Sequence, residues 1–441
     1  MKPIIAIIGR PNVGKSTLFN ALTRTRDALV ADTPGLTRDR LFGDGRVGGR
    51  AYILVDTGGL ADGPEPLSTL VSQQALRAAS EADGVVLLVD AREGLRPADS
   101  AIVAKLRRLG KSVFLAVNKT EGLDPVQAAV DFYALGMGQP RLISSAHGQG
   151  LEALMEAVLA PFAPELPDPS GEITAGVIRL SVIGRPNVGK STLINRMLGE
   201  DRMLVFDQPG TTRDTVATPL RRGGQDYLLI DTAGIRRRSH VSQRIEKLSV
   251  IKTLRAVERS DMALLLIDAQ EAVTEQDASL LGIMLQRGRA LVVAVNKWDG
   301  LDSSQRQRIR AEIERRLRFV GFAEIHYISA LHGSGVGMLF PAIGRAYASS
   351  VVRVSTPELT RIVGEAVSKH PPPLVRGRRI KLRYAHMGGQ QPPTVVVHGS
   401  QTDSVPDSYR RYLENAIRKA LHLSGTPIRI AFRRAPNPYA Q

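Results

Sequence analysis

The chain has 441 residues, room for two or three domains, and its hydrophobic fraction of 43% and charged fraction of 23% are those of a globular protein. It has no cysteine, which excludes disulfides, thiolate metal sites and cysteine nucleophiles, and suits a reducing cytosol. The net charge of +16 is uneven: residues 351–441 carry 15 Lys and Arg against 5 Asp and Glu, a field that draws polyanions, nucleic acid first, unless it is only a solvated basic surface.

The N-terminal "MKPIIAIIGR" runs into a glycine-rich loop without a small-residue cleavage site, so it reads as a buried first strand and not a signal peptide. No apolar run approaches the roughly 20 residues that span a bilayer, and no membrane anchor is expected. Next comes "GRPNVGKST", Gly9–Thr17, with a helix over Lys15–Leu22. "AYILVD", "GVVLLVD", "VFLAVN" and "RLISS" follow as short apolar strands, with a helix over Ser72–Ser80 among them. "APFAPELPDPSGEITAG", with four prolines and three acidic residues, reads as a linker.

The series then restarts. "GRPNVGKST" returns letter for letter at Gly184–Thr192, 175 residues on. "ILVDTGG" (Ile53–Gly59) returns as "LLIDTAG" (Leu228–Gly234), "FLAVNK" as "VVAVNK", and "LISSAHG" loosely as "YISALHG". Alternating strands and helices predict a mostly parallel sheet with helices on both faces, once per copy. Past residue 350 the repeat ends. "TPELTRIVGEAVSKH" predicts a helix capped by Thr356 and stopped by "PPP". "RIKLRYAH" and "TVVVHG" predict strands, "VPDSYRRYLENAIRKAL" a basic helix and "PIRIAFRR" a last strand, together a small α+β domain. The expected domains are 1–162, a linker at 163–176, 177–350, and a basic domain at 351–441.

Each "GRPNVGKST" fits G-x-x-x-x-G-K-[ST] between a strand and a helix, the context a phosphate-binding loop requires. Backbone N–H groups from Gly9, Arg10, Pro11, Asn12, Val13 and Gly14 through Ser16 and Thr17, Pro11 excepted, can cradle phosphates with the helix N-terminus behind them. Gly184, Arg185, Pro186, Asn187, Val188, Gly189, Ser191 and Thr192 repeat the set. Lys15 and Lys190 are placed to bridge β- and γ-phosphate oxygens, and Ser16 and Ser191 to ligate Mg²⁺. Asp56, Thr57, Gly58, Gly59 and Leu60 follow one strand, and Asp231, Thr232, Ala233, Gly234 and Ile235 follow its counterpart. Their aspartates suit the metal side, and Gly59 and Gly234 the γ-phosphate. Thr37 in "TPGLTRDR" and Thr212 in "QPGTTRDT" are candidates to close over Mg²⁺ and γ-phosphate, each otherwise a polar loop residue.

An N-K-x-D loop selects guanine, because its carboxylate accepts from N1–H and the exocyclic amine, donors that adenine lacks. Asn296, Lys297, Trp298 and Asp299 complete that motif. Asn118, Lys119, Thr120 and Glu121 carry Glu at the last position, with one extra methylene. Ser145–Ala146 and Ser329–Ala330 are expected to support the base from the adjoining loop. The candidates for GTP hydrolysis to GDP and phosphate are therefore Lys15, Thr37, Gly59, Lys190, Thr212 and Gly234.

The duplicated "GRPNVGKST" and the tail "YRRYLENAIRKAL…GTPIRI…FRR" resemble the bacterial double-Era-like GTPase family called EngA or Der, over essentially the whole chain. The resemblance implies two tandem P-loop GTPase domains and a KH-like domain. It also implies GTP/GDP and Mg²⁺ as cofactors, cytoplasmic work with the ribosome, and help in assembling the large (50S) subunit and its rRNA. It implies no DNA and no particular oligomer. Leu60 and Ile235 stand where Ras-like enzymes place a water-orienting glutamine, so hydrolysis needs other groups. The family resembles potassium-activated GTPases, and the matching K⁺ candidates are Asn12 and Asn187, which otherwise only brace their loops. Arg236–Arg238 either meet RNA or are solvated. The last domain lacks the G-x-x-G clamp of ordinary KH recognition, so it either grips structured RNA by charge or docks on a G domain. The competing readings are an RNA-binding scaffold with structural nucleotides, and a GTPase serving another RNA process or membrane traffic.

Overall fold

A computed structural model of the chain describes residues 2–23, 42–58, 73–162, 176–199, 217–230, 250–271, 273–374 and 379–434. They fall into two compact units, one around a first sheet and one around a second sheet and a C-terminal sheet. In the first unit, strands β1 (Ile4–Ile8), β2 (Phe42–Val47), β3 (Arg50–Asp56), β4 (Gly84–Asp90), β5 (Ser112–Asn118) and β6 (Arg141–Leu142) form a sheet in the order β2-β3-β1-β4-β5-β6. All neighbours are parallel except β2 and β3. Its described helices are α1 (Lys15–Thr23), α2 (Gln73–Glu81), α3 (Pro97–Arg107), α4 (Pro125–Val130) and α5 (Leu151–Leu159). β1 and β4 are buried along their whole length, as strands covered on both faces must be. One apolar cluster joins β1 to α1 and α5, and another joins β4 to α2 and α3.

The second unit repeats this order with β7 (Val177–Gly184), β8 (Thr218–Arg222), β9 (Gln225–Ile230), β10 (Met262–Asp268), β11 (Ala290–Asn296) and β12 (Glu324–Tyr327), arranged β12-β11-β10-β7-β9-β8. Its described helices are α6 (Lys190–Gly199), α7 (Val250–Arg259), α8 (Glu275–Gln286), α9 (Ser303–Arg316) and α10 (Leu339–Ser350). The two edge hairpins, β2–β3 and β8–β9, turn on Gly48–Gly49 and Gly223–Gly224 in the left-handed region. β2 and β8 were not expected. "FGDGRV" holds two glycines and little apolar content, and it is a strand only because β3 offers it an edge.

The C-terminal domain runs α11 (Thr356–Lys369), β13 (Lys381–Gly389), β14 (Thr394–Ser400), α12 (Asp407–Ala420) and β15 (Arg429–Arg434), with the sheet order β13-β14-β15. The cap of α11 is Ser355, one residue before the expected Thr356, because its hydroxyl accepts from Glu358 N–H and Pro357 fits the first turn. This domain docks on the second sheet. Leu291 N–H donates to the Gly425 carbonyl (2.6 Å) and Gly425 N–H to that of Phe322 (2.7 Å). Arg429 reaches the Gln286 carbonyl, and the Arg418 guanidinium lies 4.4 Å from the centre of the Phe322 ring. Gly425 holds φ +65°, and a Cβ there would strike Ala346. Of the basic side chains on α12, Arg418 is thus spent on docking, while Arg410 lies over Phe432.

Candidate functional site

In both units the phosphate loop joins the central strand to the first helix. Asn12 and Asn187 each take φ +64°, a left-handed backbone that asparagine tolerates better than most residues, and both are exposed. Gly14 and Gly189 follow at φ +97° and +100°, and a Cβ on either would strike the amide of Asn118 or Asn296. Lys15 Nζ donates to the carbonyls of Gly9 (3.0 Å) and Arg10 (2.9 Å), and Lys190 Nζ to those of Gly184 (2.9 Å) and Arg185 (2.6 Å). The ammonium is folded back over its own loop. Burial pulls the Lys15 ammonium below its usual pKa, against the pull of Asp56.

The end of β3 meets this loop. Ser16 Oγ donates to Asp56 Oδ2 at 2.8 Å, and Gly58 N–H donates to Asp56 Oδ1 at 2.8 Å. A hydroxyl and a carboxylate side by side are the hard oxygen donors that Mg²⁺ takes, so this pair fits the metal. Thr57 turns inward, its hydroxyl donating to the Ile7 carbonyl at 2.6 Å, so its side chain serves β1. Ser191 and Thr192 hold the matching helix start. Thr37, Gly59, Leu60, Thr212, Asp231, Thr232, Ala233, Gly234, Ile235 and Arg236–Arg238 lie outside the described residues.

The base-reading loops are tied to the phosphate loops through asparagine. Asn118 Nδ2 donates to the Val13 carbonyl (2.9 Å) while its Oδ1 accepts from Ser145 N–H (2.9 Å). Asn296 does the same with Val188 (2.8 Å) and Ala330 (2.8 Å). These bonds place Ser145 opposite Ala330, as the match of "LISSAHG" with "YISALHG" expects, and single these two out of the expected pairs Ser145–Ala146 and Ser329–Ala330. The backbone N–H is what the asparagine uses, so the side chain there can differ. Thr120 spends its hydroxyl on the Ile143 carbonyl (3.0 Å), whereas Trp298 packs on Tyr327 with ring centroids 4.2 Å apart and planes tilted by 40°.

The carboxylates differ. Glu121 Oε1 accepts from the Arg92 guanidinium at 2.8 Å. The Ser144 hydroxyl, a backbone N–H, Arg92 and His147 hold its carboxyl below the usual range. Asp299 Oδ2 stands 3.0 Å from His332 Nε2.

Two sets of acidic residues escaped the sequence reading, the partners of candidates it did name. Lys119 and Lys297 sit at φ +64°, costly for lysine, and their ammonium groups lie 2.5 Å from the buried carboxylates of Asp90 and Asp268. Arg10 spends its guanidinium on two carboxylates. Its guanidinium meets Asp99 (3.1 Å), fully buried at the start of α3, and Glu93 (2.5 Å). Arg185 meets Asp277 (3.0 Å) and Glu271 (2.7 Å). The signal was available: Asp90, Glu93 and Asp99 recur as Asp268, Glu271 and Asp277 with the 178-residue offset of Asn118 and Asn296.

A family model described as a 50S ribosome-binding GTPase matches residues 4–119 and again 179–297. A second, the KH-domain-like C-terminal region of EngA bacterial GTPase enzymes, matches residues 353–433. The chain is 56% identical to the GTPase Der of Thioalkalivibrio sulfidiphilus, over 100% of this chain and 95% of that one. It is 52% identical to the GTPase Der of Marinomonas sp., over 100% and 99%. Among solved structures, Era in complex with MgGDPNP and nucleotides 1506–1542 of 16S ribosomal RNA covers 59% of this chain and 94% of its own, at 20% identity and a TM-score of 0.30, too distant to bear on function.

Proposed function

The chain belongs to the GTPase Der family, and on that premise we propose that it hydrolyses GTP at two sites and acts as a nucleotide-switched factor in assembly of the large ribosomal subunit. The observation that carries the reading is the twofold constellation of a folded-back lysine, a helix-start serine and a base-loop asparagine bonded into the same loop. Each part has a role in phosphoryl transfer. Lys15 and Lys190 swing onto the β- and γ-phosphates. Ser16 with Asp56, and Ser191 with Asp231, would hold Mg²⁺, which would supply charge neutralisation for the transferring phosphoryl group. Thr37 and Thr212 close over the γ-phosphate, and Gly59 and Gly234 sense it through backbone N–H. Water attacks the γ-phosphorus, the bond to the β-phosphate oxygen breaks, and GDP and phosphate leave.

With Leu60 and Ile235 unable to orient that water, the amides of the exposed Asn12 and Asn187 would hold K⁺, which would supply positive charge there. Turnover is then expected to rise when Na⁺ is replaced by K⁺ at constant ionic strength; equal rates in the two salts end this part of the reading. Residues 1–162 and 177–350 are the G domains and 351–441 the basic KH-like domain, working in the cytoplasm on the large subunit and its rRNA. A γ-phosphate selects a state only through contacts that differ between GTP and GDP, whereas charge alone binds any RNA in a salt-sensitive, nucleotide-blind way. Cosedimentation with purified 50S subunits in GDP, GTP and a non-hydrolysable analogue tests the reading. Binding should depend on the γ-phosphate and fall in Lys15→Ala and in Lys190→Ala. Nucleotide-blind binding of both variants would favour a scaffold.

A further inference from the structure

The two base-reading loops differ in what stands beside the carboxylate. After β4, Asp90 Oδ1 accepts from the Arg92 N–H at 2.9 Å; after β10, Asp268 Oδ1 accepts from the Gln270 N–H at 2.9 Å. Arg92 and Gln270 are therefore the same position in the two copies, one cationic and one neutral. The extra methylene of Glu121 carries its carboxylate to Arg92 Nη2 at 2.8 Å, and Arg92 Nε is steered by the Lys119 carbonyl at 3.4 Å. A guanine needs both carboxylate oxygens of this residue, one for N1–H and one for the exocyclic amine. In the first copy a guanidinium already occupies one of them.

We propose that Arg92 is a specificity-determining residue of the first site, lowering its guanine affinity by competing with the base for the Glu121 carboxylate. The proposal rests on the reading that this loop selects guanine. Its sign is unusual. Removing a cation near an anionic nucleotide weakens binding by simple electrostatics, whereas removing a competitor for the carboxylate tightens it. The pair is partly exposed, with Arg92 at 56% and Glu121 at 26% side-chain exposure, so its strength is modest and salt-dependent.

The test uses the full chain carrying Asp299→Asn, so that GDP reports the first site and xanthosine diphosphate the second in calorimetric titration. Adding Arg92→Gln, which copies Gln270, should tighten GDP binding about two- to fivefold and leave xanthosine diphosphate unchanged. The gain should close as KCl is raised toward 1 M. Unchanged or weakened GDP binding overturns the proposal, and so does a gain that salt leaves untouched. If Asp299→Asn fails to separate the two nucleotides, the guanine reading of these loops fails first and the proposal falls with it.

Discussion

The first and second nucleotide sites share nine identical loop residues, and around the phosphate cradle the match extends to the hydrogen bonds. Each lysine returns to two loop carbonyls, each asparagine spans the same two backbone groups, and each loop arginine is anchored on a buried aspartate. The copies part at the base and at the far end of the strand that carries the base loop. Glu121 answers to Arg92 where Asp299 answers to His332. β5 begins with an exposed Ser112 and half-buried neighbours, while β11 is buried from Ala290 onward under the C-terminal domain. Phosphate chemistry tolerates no variation in geometry. The surroundings of the base-loop carboxylate and the start of the strand differ between the copies, and so can vary one copy at a time.

The most damaging test of the shared part is Asp99→Ala against Asp277→Ala. Each removes the buried carboxylate and leaves the arginine only its more exposed glutamate, Glu93 or Glu271, so the loss should fall below the about 3–5 kcal/mol of a buried charge left with no partner. Thermal melts should show a comparable loss for both; a loss in one copy alone would break the equivalence. Lys15→Ala and Lys190→Ala should each lower nucleotide affinity at their own site by about a hundredfold, some 2.7 kcal/mol, with the other site unaffected in equilibrium titration. Asp299→Asn should turn the second site from GTP toward xanthosine triphosphate, by about tenfold or more in relative affinity. Glu121→Gln should have a smaller effect, because the lost carboxylate was already shared with Arg92.

A smaller effect belongs to the second unit alone. Burial on α12 pushes the Glu414 carboxyl up to about 7, against Arg410, Arg418 and Arg411. A folded-state pKa above the unfolded value of 4.5 contributes stability that is complete below 4.5 and is lost as pH rises through about 7. Glu414→Gln should therefore flatten the melting temperature of that unit between pH 5 and pH 8, leaving it higher than the parent chain at pH 8. An unchanged pH slope would remove Glu414 from the account.

The strands buried on both faces were legible because they are apolar without interruption, and the phosphate and base loops because their residue types are dictated by the ligand. β2 and β8 were not, since their sequences are strands only by pairing with β3 and β9. Asp99 and Asp277 recur at the repeat's offset, but their partners, Arg10 and Arg185, lie 89 and 92 residues away and meet them only in the fold. The partner of each base-loop asparagine is a backbone N–H, so the register of Ser145 with Ala330 was legible from the match of "LISSAHG" with "YISALHG" and not from the identity of those two side chains. Docking of the C-terminal domain hangs on Gly425, a residue whose sequence context, "SGTP", reads as a turn.

The bond from Leu291 to Gly425 also has a meaning in time. A nascent chain emerges N-terminus first, and its domains fold as they become available. The first unit has its sheet, its phosphate loop and its base loop once residue 162 has left the exit tunnel. The second has its phosphate loop and base loop by residue 330, yet the carbonyl that receives Leu291 N–H at the start of β11 is translated some 134 residues after it. The two halves of one duplicated gene product therefore mature on different schedules, and the second is finished only when nearly the whole polypeptide has been made.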